Sequence, residues 1–192
     1  MAVVAAVTPA IALAQVTTDV GRAPTLSIDR YSEDWSYLGD PDRRSGHWTE
    51  PFKYIRISGA GTTYLTIGIE GRLRYEHYEN VNWGASPDDS YLWQRLMPYA
   101  GFHADKARLF VQPIVSVIAG AEHAKTSVDT TGIDMLQAFG DIEMAVTPHT
   151  ALRLSAGRKL VSLGAGRLID NRYGPNVPLA FDGGEATLIN RE

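Results

Sequence analysis

The sequence predicts an all-β fold: an antiparallel up-and-down transmembrane β-barrel, present as an incomplete set of about six long strands after a periplasmic N-terminal segment. Three observations predict it. Several segments alternate strictly between apolar and polar residues, the alternating runs reach bilayer-spanning length, and the connections between them alternate long and short.

Residues 64–79, YLTIGIEGRLRYEHYE, show the alternation most clearly. Leu65, Ile67, Ile69, Gly71, Leu73 and Tyr75 fall on odd positions, and Thr66, Gly68, Glu70, Arg72, Arg74 and Glu76 on even ones. Successive side chains of an extended strand leave opposite faces, so this strand has one apolar and one charged side. A half-buried strand of a soluble protein would read the same way. In a membrane barrel the geometry inverts, with apolar residues toward lipid and charged residues toward the lumen.

Composition bounds the alternatives. The chain has 192 residues, 44% of them hydrophobic, and a formal charge of -4, values that suit a folded domain and not a general nucleic-acid binder. Arginine outnumbers lysine fourteen to four, which favours planar, bidentate recognition of carboxylate or phosphate. The absence of cysteine excludes disulfides, thiol chemistry and Cys-ligated zinc. His47, His77, His103, His123 and His149 are scattered without ligand spacing, so no metal is expected, and Asp88 with Asp89 is the nearest approach to a loop calcium site. LGAG at 163–166 lacks the lysine and spacing of a phosphate-binding loop, so no cofactor is expected either.

Residues 1–14 read as a signal peptide, apolar almost throughout and ending in Ala12-Leu13-Ala14 before Gln15, although a positively charged start is missing. A buried N-terminal strand or helix is the alternative. Residues 15–51 form a polar, turn-rich segment, and 52–192 form the barrel portion, opening with a short strand at FKYIRI, 52–57.

The first long strand runs to about Asn80. The second, 90–104, places Arg95 on the same parity as Tyr91, Trp93, Met97 and Tyr99, and therefore sends Gln94 toward lipid unless a bulge shifts the register. In the third, 107–120, Leu109, Val111, Pro113, Val115 and Val117 oppose Arg108, Phe110, Gln112, Ile114 and Ser116. In the fourth, 135–146, Leu136, Ala138, Ile142, Met144 and Val146 oppose Gln137, Asp141 and Glu143. The fifth, 151–160, sets Leu152, Leu154 and Ala156 against Arg153, Ser155 and Lys159, and a sixth begins near Ala180. Between them lie NVNWGASPDD, then Asp105-Lys106, then EHAKTSVDTTG, then TPHT, then 163–179. Long loops on one rim and tight turns on the other are the habit of outer-membrane barrels, which would put 83–89, 122–132 and 164–178 outside and 105–106 and 147–150 in the periplasm.

RYSEDWSYLGDPDRR at 30–44, FKYIRI, YLTIGIEGRLRYE, YLWQRLMPYAGFH at 91–103, RLFVQ at 108–112 and AGRKLVSLGAGRLIDNRYGPNVPLAFDG at 156–183 together resemble the alginate-export family of outer-membrane proteins. The resemblance implies a bacterial outer-membrane location, a larger barrel of which this chain is an N-terminal portion, an arginine-lined lumen, and an anionic polyuronate as cargo. Asn171-Arg172-Tyr173 and Val177-Pro178 depart from the family's more basic pattern there.

The candidate pore-lining residues are Arg72, Arg74, Arg95, Arg108 and Arg153, with Glu70 among them. Guanidinium groups in a confined pore can hold successive carboxylates weakly and release them. The plainer alternative is that they neutralise Glu70, Glu76, Asp141 and Glu143 in ladders across the wall. Carboxylate pairs such as Glu70 with Glu76 share one strand face beside basic neighbours, which suits ion pairing better than acid–base catalysis, and no enzyme is expected. The expected partners are an anionic polysaccharide or small anionic solute, outer-membrane lipid and periplasmic export proteins. The competing function is a soluble secreted β-sheet protein that binds or cleaves acidic polysaccharide.

Overall fold

A computed structural model describes residues 3–7, 26–58, 62–80, 83–122 and 126–190. Six long strands follow one another: β3 (Thr63–Tyr78), β4 (Asp89–Ala104), β5 (Ala107–Ala119), β6 (Gly132–Thr147), β7 (Thr150–Leu160) and β8 (Ala180–Asn190). Each is antiparallel to its sequence neighbour, giving a curled, open sheet shaped as a half-barrel. A short β2 (Ile55–Arg56) lies antiparallel along β3, and the backbone of β1 (Val3–Val7) runs parallel to β8. The Ala12–Ala14 junction lies outside the described residues. Among the described residues no helix is long and apolar enough to cross a membrane.

The alternation on β3 holds along its length. Ile69 and Leu73 on the convex face are 64% and 75% exposed, as are Leu109 at 60% on β5 and Ile133 at 85% on β6, whereas Arg95 and Met97 on the concave face are 3% and 1% exposed. A soluble sheet buries its aliphatic face and wets its charged one; here the aliphatic face is the bare one. The β3–β4 register is unbroken from Thr63 opposite Ala104 to Tyr78 opposite Asp89, so no bulge intervenes. Arg95 therefore faces inward opposite Arg72, and Gln94 sits on the outer face opposite Leu73.

On β6 the structure corrects the parity read from sequence. Gln112 pairs with Gln137 but Pro113 pairs with Met135, so Leu136 is an extra residue. Two consecutive side chains at such a bulge lie on one side of the sheet, and Leu136 and Gln137 both point inward. Leu136 packs with Met97, Ile114 and Leu160 instead of facing out beside Ala138 and Ile142, while Gln137 Nε2 donates to Gln112 Oε1 at 2.7 Å. Proline fits the bulge because it has no N–H to give the ladder. The neighbouring β4–β5 ladder also breaks between Leu96–Val115 and Ala100–Val111, where Pro98 and Pro113 lie.

Two pieces of chain fill the concavity. Residues 26–58 form three single turns of 3-10 helix and the short α1 (Glu50–Lys53), and lie against the rim that bears the tight turns. Trp35, Leu38 and Tyr54 pack on Tyr64, while Tyr31 meets Phe110 and Phe139 edge-on at 6.1 and 5.3 Å. Burial raises the Glu50 carboxyl, but hydrogen bonds from Ser45 Oγ (2.6 Å), Ser45 N (2.8 Å) and Gly46 N (3.1 Å) outweigh it and hold the group below the usual range. Lys53, buried against the Trp35 and Tyr99 rings, is lowered by desolvation.

The second filler is the loop 161–179 between β7 and β8. Asn176, fully buried, donates from Nδ2 to the backbone oxygens of Gln94 (3.3 Å), Val117 (3.1 Å) and Asp129 (2.8 Å). Val177 N donates to Val128 O at 2.9 Å, so this loop is tied to the one between β5 and β6 as well as to the wall.

Candidate functional site

Glu70, inward-facing in the middle of β3, is where the wall and both fillers meet. Arg30 of the N-terminal segment donates from Nε and Nη2 to Glu70 Oε2, each at 3.3 Å. Arg95 Nη2 on β4 reaches Oε1 at 3.3 Å, and the hydroxyl of Tyr173 in the β7–β8 loop donates to the same oxygen. Burial and that hydrogen bond raise the Tyr173 phenol above its ordinary value. Arg30 is also desolvated, yet its bonds to Glu33 and the Glu70 charge hold it protonated more firmly than usual.

Around Glu70 the guanidinium groups turn to backbone oxygens. Arg72 Nη1 donates to Tyr173 O (3.2 Å) and Gly174 O (2.9 Å), and its Nη2 donates to Pro175 O (2.7 Å). Arg74 Nη1 lies 3.4 Å from Gly174 O and its Nε pairs with Glu76. Arg95 Nη1 lies 3.4 Å from Tyr173 O and 3.3 Å from Pro175 O, with the guanidinium 4.4 Å from the centre of the Tyr173 ring. Trp93 offers its face to Arg72 and Arg74 at 5.9 and 5.4 Å.

The remaining two candidates stand apart, near the tight turns. Arg108 grips Asp141 Oδ2 from Nε (3.0 Å) and Nη2 (2.6 Å) and also donates from Nη1 to Tyr31 O. Arg153 Nη2 pairs with Glu143 Oε2 at 2.8 Å. Both are cross-strand neighbours, Arg108 opposite Asp141 and Arg153 opposite Glu143, so the ladder geometry describes them directly. They line an open cleft of about 550 Å³ with Tyr31, Asp34, His103 and Lys106. Burial, with the charges of Asp29 and Glu185, pushes the Tyr31 phenol up to about 12 against the opposing pull of Arg108 and Arg153.

The structure thus brings Glu70, Arg72, Arg74 and Arg95 into one cluster and sets Arg108 and Arg153 in another. Arg30 and Tyr173 belong to the first cluster and were not singled out from sequence, because neither sits on an alternating strand. Among the described residues no group of three or more His, Asp or Glu could hold a metal ion. The chemistry available is reversible binding of oxygen acceptors by forked cationic donors.

A family model for alginate export matches residues 63–191, the six long strands and the loops between them. No curated protein and no solved structure gives a significant match.

Proposed function

The chain belongs to the alginate-export family, a family of outer-membrane transport proteins and not of catalysts, and from that premise we propose that it forms part of an outer-membrane barrel passing anionic polysaccharide or small anionic solutes. In this reading Arg72, Arg74, Arg95, Arg108 and Arg153 line the lumen. The observation that carries it is the segregation by parity: guanidinium groups on the concave side, bare aliphatics on the convex side. The same aliphatics weigh against a soluble polysaccharide-binding or -cleaving protein, whose sheet would hide them.

An open sheet edge is untenable in hydrocarbon, since each unpaired N–H or C=O there costs several kcal/mol. The outermost long strands, β3 and β8, run in opposite senses, so additional hairpins of a longer chain can close the wall with every pair of long strands antiparallel. Removal of residues 1–14 as a leader would take β1 with it and free β8 for the next strand.

Planar-bilayer recording with the full-length barrel tests the function. A reversal potential of anion-selective sign in a salt gradient, weakened as ionic strength rises, is expected. Cation selectivity, or a monodisperse monomer in plain buffer without detergent, overturns the reading.

A further inference from the structure

Arg72 and Arg95 stand directly opposite each other on adjacent strands. Like charges so placed repel unless an anion lies between them. Glu70 serves Arg95 but is shared with Arg30 and Tyr173, and among the described residues the hydrogen bonds of Arg72 go to neutral carbonyl oxygens. The Nε atoms of both arginines are buried and have no hydrogen-bond partner among the described residues. A carboxylate meets the Nε–Nη edge of a guanidinium with two oxygens at once, whereas the backbone of 173–175 engages only the Nη tips.

We propose that Tyr173-Gly174-Pro175 is a self-ligand: its three carbonyl oxygens occupy an oxyanion site built by Arg72, Arg74 and Arg95, and a carboxylated saccharide entering the lumen displaces it. The inference rests on the transport reading and adds to it what opens the path. Charge-assisted bonds are roughly twice as strong as those to neutral acceptors, so a uronate gains on the same donors what the loop lacks. Displacement of 173–175 also breaks the Tyr173–Glu70 bond, while Asn176 and Val177 keep the following stretch tied to the wall and to the β5–β6 loop; Glu70 then keeps Arg30 and Arg95.

Gly174 offers a probe position, because a Cβ there meets nothing within 4 Å, and the chain has no cysteine of its own. The full-length Gly174→Cys protein in detergent is reacted with a maleimide alone, with a galacturonic acid trimer, and with a maltose-series trimer. The acidic trimer is expected to speed labelling by about tenfold, the factor that one added charge-assisted hydrogen bond supplies, and the neutral trimer to leave it unchanged. Adding Arg72→Gln and Arg95→Gln should raise the rate without ligand and abolish the response. Should that variant fail to assemble, Tyr173→Phe should raise the basal rate and keep the response. Labelling that the acidic trimer slows or leaves unchanged, in a barrel that still conducts anions selectively, overturns the self-ligand while sparing the transport reading. Loss of anion selectivity in the same preparation overturns transport itself.

Discussion

Tyr173 donates its hydroxyl to Glu70 across 103 residues of sequence, fastening a loop to the middle of the first long strand. The same carboxylate holds Arg30 and Arg95, so its removal strips two cations at once.

Glu70→Ala is therefore expected to destabilise the assembled protein by about 3 kcal/mol, the scale of breaking a largely buried ion pair, and Tyr173→Phe by only about 1 kcal/mol. Denaturant titration in micelles reads both. A double variant no worse than Glu70→Ala alone would show the coupling, and full additivity would refute it.

Parity gives a second contrast between adjacent residues. Arg72→Glu should assemble and move the reversal potential toward cations, because it alters charge only on the concave side. Leu73→Arg should instead impair assembly, by about 2–4 kcal/mol if the position lies at the bilayer midplane. Yields of heat-modifiable barrel from the two variants decide it, and equal yields would sink the assignment of faces.

The bulge on β6 makes a third. Leu136→Ala, which empties a site among Met97, Ile114 and Leu160, should cost about 2–5 kcal/mol. Met135→Ala, one residue earlier on the exposed face, should cost less than about 1 kcal/mol. The opposite order in urea unfolding would restore the unbulged register.

Acid should loosen the N-terminal filler. The Glu50 carboxyl is held below its usual value of 4.5, so its stabilisation is complete above pH 4.5 and is lost as pH falls through the lower folded value. Protease cleavage within 26–58 should accelerate across that window in the native protein. Glu50→Gln should be cleaved faster at neutral pH and show a smaller acid step; an unchanged step would place the titration elsewhere.

Much of the wall was legible in sequence because strand faces follow a local rule. Leu65 through Glu76 announce their sides residue by residue, and Asp105-Lys106 can only be a tight turn between two such runs. Leu136 was misplaced because its side depends on pairing with Pro113, which no single strand reveals. The interior was less legible still. Arg72 bonds to Pro175, 103 residues away, and Arg108 to Tyr31, 77 residues away, and neither irregular segment carries a periodic signal of where it docks. The arginines could be named from their face, but not the backbone oxygens that hold them.

The occupied concavity also bears on the order of events during assembly. Contacts such as Arg108 to Tyr31 and Asn176 to Gln94 join segments 77 and 82 residues apart, and contacts of such long range form slowly. In the closed barrel proposed above, 26–58 would have little room to thread in afterwards and would have to be seated while the wall is still open. The chain would then supply its own mandrel, with Tyr31 and Trp35 already in place against the strands that wind round them.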